Sequence, residues 1–380
     1  MKLKNDRDMG NFDLKQIFSF QTTYGFNALC VGTIFRQNGL NLIIGGEDGI
    51  IRIFDLGKEK EFKNTQVIME TKSGPIQCMA VQDVTKFYHN DLIVADSTGM
   101  MTIFCNQQIL CRQSVSDSCI NCVQTQTNAM NNLEIVMSND SGEIFGVLPS
   151  KELWRININD ASKDQVVKSS ITCLLAVDLP DLHGKMTSYI LAADSSCNLS
   201  VIHQGLIVSS VKTPSVVTAM CAGKFVDPSK LSLLPPSTGG SPDSHQVALG
   251  TESGAIYIFC NFSVTEEEYV NTGYTITLLK KLELPEYDND ILVCTGHFNA
   301  IHIYLDGKVG YQSKVPEYDN DMLVCTGHFN AIHIYLDGKK LCHHVTSDWV
   351  NCFDIMDRDG SKELVVGCLD RSIQGYKIMI

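Results

Sequence analysis

One short template recurs along this chain and limits what it can fold into. It reads LIIGGEDGIIRIF from Leu42, LIVADSTGMMTIF from Leu92, IVMSNDSGEIFGV from Ile135 and ILAADSSCNLSVI from Ile190. It returns as VALGTESGAIYIF from Val247, as LVCTGHFNAIHIY from both Leu292 and Leu323, and as LVVGCLDRSIQGY from Leu364. An apolar run ending in a small residue, a polar turn and an alternating run together describe a β-hairpin. The eighth place holds Gly49, Gly99, Gly142, Gly254, Asn299 and Asn330, residue types that accept positive φ. Cys197 and Arg371 depart from this preference, which implies another turn type there.

The template starts fall about 46 residues apart on average, the length of a four-stranded propeller blade. Almost nothing holds a 3.6-residue period through three turns, so solenoids built from helices are ruled out. Upstream of the hairpins lie short apolar strands with cysteine at the third place: ALCV, IQCM, INCV, ITCL, AMCA and VNCF, carrying Cys30, Cys78, Cys122, Cys173, Cys221 and Cys352. They read as channel-lining strands in which a free thiol serves as a small buried side chain. The cysteine count of 15 is odd and the start, MKLKNDRDMGNFDLK, lacks an apolar signal core, both of which argue against a disulfide framework.

The pattern predicts an all-β chain, a single seven-bladed β-propeller of four-stranded blades over residues 1–380. FDLKQIFSF at Phe12–Phe20 has strand composition and is expected to close the ring as the outer strand of the last blade. Pro285–Lys308 and Pro316–Lys339 differ only at Ile291 and Met322, a duplication inserted near the sixth blade. Pro228–His245, rich in Pro and Ser, is expected to be a mobile surface loop.

Composition narrows the function. The formal net charge is −13, which disfavours general binding to a phosphate backbone. No apolar run approaches the roughly 18 residues a transmembrane helix needs. The expectation is a soluble, cytoplasmic protein.

The stretches GLNLIIGGEDGIIRIFDL, GPIQCMAVQDV and above all DIMDRDGSKELVVG, Asp354–Gly367, resemble FG-GAP-type propellers. The similarity is greatest to the FG-GAP repeat subunit of the KICSTOR complex, which restrains TOR complex 1 at the lysosome, and propellers of the BBSome are similar at nearly the same level. The resemblance implies a non-catalytic interaction scaffold, with other protein subunits as partners and a location at the lysosomal membrane through them. It implies nutrient signalling on the KICSTOR model, or ciliary trafficking on the BBSome model. Conventional WD repeats are less similar, for no Trp-Asp dipeptide occurs.

FG-GAP blades often hold calcium in a D-x-D-x-D-G loop. Here Asp357, Asp359 and Glu363 match its later positions, but Ile355 occupies the first and Asp354 is displaced by one, so the loop reads as a relic. Cys119 and Cys122 have zinc-like spacing without a second pair to complete four ligands. No phosphate loop, GxGxxG, HExxH or GxSxG is present. The chain is therefore expected to be no enzyme and to need no cofactor, the alternative being a propeller hydrolase or lyase with a metal in its channel. The candidate partner-binding residues are Glu47, Asp48, Asp140 and Glu252, acidic tips of hairpin turns that would crowd one rim and steer a basic partner.

Overall fold

A computed structural model describes residues 13–379, apart from 37–38, 58–66, 129, 161–167, 182, 226–244, 272, 274, 283–290, 297–322, 327–331, 337–338, 345 and 359. The strands form antiparallel blades arranged in a ring. Blade I comprises Phe26–Gly32, Asn41–Gly46, Ile50–Asp55 and Val67–Glu70; blade II comprises Ile76–Gln82, Asp91–Asp96, Met100–Cys105 and Gln108–Ser114. Blade III is built from Ile120–Thr127, Leu133–Asn139, Glu143–Leu148 and Lys151–Asn157, and blade IV from Ile171–Pro180, Met186–Asp194, Asn198–His203 and Leu206–Lys212. Blade V has Val217–Gly223, Gln246–Thr251 and Ala255–Cys260, with its outer position divided between Ser263–Val264 and Val270–Asn271. Blade VI has Val350–Arg358, Ser361–Cys368 and Ser372–Met379, and Asp13–Gln21 is its outer strand, paired antiparallel with Ser372–Met379.

The expected count of seven four-stranded blades is corrected: among the described residues there are six such antiparallel blades. The sector between blades V and VI holds instead a mixed sheet of five strands, Ile276–Leu282, Ile291–Gly296, Leu323–Thr326, Ile332–Leu336 and Lys339–His344. The physical cause is the duplication. Val293, Cys294 and Thr295 pair in parallel with Val324, Cys325 and Thr326, their own copies, so the repeated segment enters as an extra strand and breaks the blade pattern. Most of the duplicated residues, Asn299 and Asn330, and nearly all of the Pro228–His245 loop lie outside the described residues, as does Phe12.

The core sits between blades, because every cluster of buried side chains is drawn from two neighbours. Leu191 and Val201 of blade IV meet Leu249 and Phe259 of blade V; Ile93 and Ile103 of blade II meet Met137 and Phe145 of blade III. Phe18 and Val365 of blade VI meet Leu42 and Phe54 of blade I in the same way. A strand covered by a neighbour on both faces is apolar along its middle, and the second strands NLIIGG, DLIVAD and QVALGT are buried at every residue, with polar residues only at their ends. Each fully buried aliphatic side chain contributes roughly 1.5–3 kcal/mol.

The six described template turns lie at one end of the ring, where the inner strands begin. Each is tied there by one backbone bond to the residue just before or near the start of its own inner strand. Glu47 N–H donates to Gly25 O, Ser97 to Pro75, Asp140 to Cys119, Ser195 to Ser170, Glu252 to Val216 and Leu369 to Trp349, at 2.8–3.2 Å. Cys197 and Arg371 take φ of 59° and 69°, the left-handed conformation also seen at Gly49 (72°), so the expected change of turn type does not occur. A second correction concerns the inner-strand register. Each inner strand carries a β-bulge after its first residue, which aligns Cys78, Cys122, Cys173 and Cys352 with Ala28 and Ala219. Cys30 and Cys221 lie two residues further along. The described cysteines are all free thiols.

Ring closure rests on Phe18, which is 8% exposed and packs over Gly375. Replacing Phe18 with Ala is expected to cost about 3 kcal/mol in equilibrium urea unfolding. Deleting residues 1–21, which bares the edge of Ser372–Met379, should cost more and lower the monomer fraction in sedimentation. An unchanged midpoint in both would refute a closing role for this strand.

Candidate functional site

The inner strands surround a cavity of about 580 Å³ whose lining includes Gln124, Leu175, Met220, Lys280, Asp354 and Lys362. Asp354 is its electrostatic centre. One carboxylate oxygen accepts the Val31 N–H of blade I at 2.8 Å, and the other pairs with Lys280 Nζ of the mixed sheet. Asp354 thereby links three sectors of the ring. The second carboxylate on the lining, Asp357, pairs with Lys362 at 2.9 Å. Each carboxylate is held by an ammonium, and this arrangement braces the channel rather than presenting two acids for proton transfer.

The residues of the calcium-like loop are separated. Asp357 stands directly opposite Lys362, and Met356 directly opposite Glu363, in the hairpin that joins the first two strands of blade VI. Since successive strand residues face opposite sides, Asp357 and Glu363 project to different faces of the sheet. Lys362 and the Gly360 N–H hold the Asp357 carboxyl below its usual range, while Glu363, 4% exposed, pairs with Arg358 at 3.3 Å. Asp359 lies outside the described residues.

Glu47, Asp48, Asp140 and Glu252 are all exposed and stand on turns at the same end of the ring. Their environments differ. Asp48 makes two bonds to the Arg52 guanidinium, at 3.1 and 2.7 Å, and Arg52 in turn lies 3.6 Å from the centre of the Tyr24 ring. Arg52 holds the Asp48 carboxyl below its usual range, and burial pushes the Tyr24 phenol up to about 12. Asp140 accepts a bond from Asn121 Nδ2 at 3.3 Å. Glu47, Asp140 and Glu252 have no ion pair among the described residues, and they belong to alternate blades I, III and V. The turn residues beneath them are structural: Asn139, fully buried, accepts from the N–H groups of Ser141 and Glu143, and Asp96 accepts from those of Thr98 and Met100.

The opposite face carries side chains that the sequence pattern did not single out. Phe87 is 58% exposed, Tyr88 99% and Met130 83%. They stand on the loops that join inner to second strands in blades II and III, and Lys86 Nζ joins the two loops by a bond to Asn132 Oδ1 at 2.9 Å. An aromatic pair in the polar stretch Asp83–Asn90 was the available signal. Of the histidines in and after the duplicated segment, His344 meets the buried Tyr376 ring edge-on at 4.7 Å, and the side chains of His297, His302, His328, His333 and His343 are outside the described residues.

The antiparallel blades, their shared cores and the ring of inner strands make this chain a β-propeller. Among solved structures it is similar to two crystal structures of BBS1N in complex with ARL6DN. One, soaked with mercury, has a TM-score of 0.62 and 11% identity, and the other, soaked with lead, a TM-score of 0.65 and 10% identity. Each similarity covers 96% of this chain and 97% of the other. The computationally designed Ika8 protein is similar at a TM-score of 0.60 and 13% identity, over 94% of this chain and 98% of that one. At such identities the likeness shows the fold. No protein-family model matches the sequence, and no curated protein matches it. Among the described residues no helix is long and apolar enough to cross a membrane.

The bracing role of Asp354 is open to a direct test. Asp354→Ala leaves Lys280 and the Val31 N–H without their partner and is expected to cost about 1–3 kcal/mol in urea unfolding. A variant as stable as the parent would show that the channel does not depend on this carboxylate.

Proposed function

We propose that the chain is a non-catalytic β-propeller that serves as an interaction subunit of a multiprotein complex. The observation that carries this reading is the apolar group Phe87, Tyr88 and Met130, presented to solvent on two adjoining loops of one face. Large apolar side chains left in water on neighbouring loops favour a partner that covers them. The carboxylates of Glu47, Asp140 and Glu252 on the other face, which have no ion pair among the described residues, suit a role in steering a basic partner, with Asp48 contributing less because Arg52 neutralises it. The likeness to BBS1N, a propeller solved with ARL6DN bound, supports a partner-binding role for a ring of this kind.

At a finer level, the FG-GAP resemblance favours a KICSTOR-like role in nutrient signalling to TOR complex 1, with the chain cytoplasmic and brought to the lysosome by its partners. The structural likeness to BBS1N favours a second reading, a subunit of a trafficking coat. These two readings require partners that do not overlap.

Affinity purification from cells, read by quantitative mass spectrometry, separates them. KICSTOR components are expected with the parent protein, BBSome components on the second reading, and neither set if the chain belongs to another assembly. Two variants locate the surface: Phe87→Asp with Tyr88→Asp, and Glu47→Lys with Asp140→Lys and Glu252→Lys. The apolar variant is expected to lose at least tenfold of its main partner, about 1.4 kcal/mol, with the fold intact. Full recovery of every partner by both variants would overturn the interaction reading of these faces.

A further inference from the structure

The loop Asp83–Asn90 of blade II is held in a single shape by its own bonds. The Asp83 carboxylate accepts the N–H groups of Phe87 and Tyr88 at 3.1 and 3.0 Å. Lys86 and Tyr88 take φ of 60° and 62°, a left-handed conformation that costs roughly 1–2 kcal/mol for each residue with a Cβ. Asn90 fastens the end of the loop to blade I, through Nδ2 to the Thr33 carbonyl and through its own carbonyl to the Phe35 N–H, both at 2.8 Å. Strain in a loop persists where its surroundings fix the conformation, and here the result is a definite placement of one side chain.

That side chain is His89. Its Nδ1 lies 2.8 Å from the Phe87 carbonyl, which can only accept, so Nδ1 carries the proton and Nε2 presents its lone pair. Nε2 points to the Cys105 thiol at the end of the third strand, at 3.5 Å. The third member is Asp91, fully buried at the start of the second strand. Its Oδ2 accepts the Thr85 N–H at 3.0 Å, while Oδ1 is sealed from solvent and has no hydrogen-bond partner. One ligand atom from each of His89, Asp91 and Cys105 lies within 4.8 Å of the others.

A buried carboxylate oxygen without a donor costs about 1–3 kcal/mol or more, and neither an imidazole lone pair nor a poorly acidic thiol repays that in full. Burial first, and then the Asp91 carboxylate, push the Cys105 thiol up. A cation answers all three groups together. With zinc–nitrogen bonds of about 2.0–2.1 Å and zinc–sulfur bonds of about 2.3 Å, tetrahedral angles separate the N and S ligands by about 3.6 Å, in agreement with the observed Nε2–Sγ span. The bond from Nδ1–H to a backbone carbonyl is the outer contact that orients metal-binding histidines.

We propose that His89 Nε2, Asp91 Oδ1 and Cys105 Sγ form a zinc site, with water in the fourth position. Binding releases the thiol proton to solvent and leaves zinc on a thiolate, a carboxylate and a neutral imidazole. The ion pins the loop that carries Phe87 and Tyr88 against the blade. The site joins this loop to two strands of blade II and stands or falls separately from the identity of any protein partner.

The test uses the full chain, freed of metal, and zinc alone competed against a chromophoric chelator, with cobalt as the spectroscopic substitute. The parent is expected to take up one equivalent that His89→Ala and Cys105→Ser do not, with affinity at least about tenfold weaker in each variant. The thiolate-to-cobalt absorption band should be weaker in Cys105→Ser than in the parent by the share of one site. Other thiols of the chain bind equally in parent and variants, so the difference is the readout. Should either variant fail to fold, zinc should still slow alkylation of Cys105 in the parent, followed by peptide mass spectrometry. Equal uptake by parent and folded variants, or alkylation of Cys105 at the same rate with and without zinc, would overturn the proposal.

Discussion

The ring depends on a single contact made repeatedly, from the second residue of one inner strand to the first carbonyl of the next. Asn121 Nδ2 donates to the Ile171 carbonyl at 2.7 Å, Thr172 Oγ1 to Val217 at 2.6 Å and Asn351 Nδ2 to Phe26 at 3.1 Å, with Asn27 reaching Ile76 more weakly at 3.4 Å. Each donor is the residue left out of its own ladder by a β-bulge. A bulge kinks a strand and leaves one residue unpaired; here that residue is polar and its side chain reaches into the neighbouring blade. At Gln77 no such bond is present among the described residues, and the Cys78 thiol reaches the Ile120 carbonyl instead at 3.9 Å.

The proposed partner-binding role draws on the rigidity this contact gives. With the inner strands linked by these bonds and the apolar faces of neighbouring blades packed together, the described loops at both ends stand on a fixed frame. One end presents the turn carboxylates. The other presents the aromatic loop of blade II, itself strained and tied to blade I. Partner binding to such a platform loses little entropy to ordering, which is compatible with the interaction role proposed above.

The hairpins were legible in the sequence because they are local: an apolar run, a polar turn and an alternating run declare themselves within one short window. The inner strands were harder. Aligning ALCV and AMCA with INCV and ITCL by their cysteines placed Cys30 and Cys221 two residues from their true equivalents, because what aligns these strands is the polar bulge residue, Asn27, Thr218, Asn121 or Thr172. The blade count failed for a different reason, since a repeated segment can pair with its own copy, and Val293–Thr295 does so with Val324–Thr326. Asp357 and Glu363 belong to one loop pattern in the sequence yet stand on opposite faces of a sheet. The group His89, Asp91 and Cys105 was invisible because its members come from a loop and two strands brought together by blade packing.

The inter-blade contact is the central claim, and hydrogen exchange followed by mass spectrometry in Thr172→Val tests it most directly. The substitution keeps the shape of the side chain and removes the hydroxyl that bonds to Val217. The account predicts that the inner strands of blades IV and V, Ile171–Pro180 and Val217–Gly223, lose protection together, while the outer strand of blade IV, Leu206–Lys212, is unchanged. Protection lost in blade IV alone, or in neither blade, would contradict it.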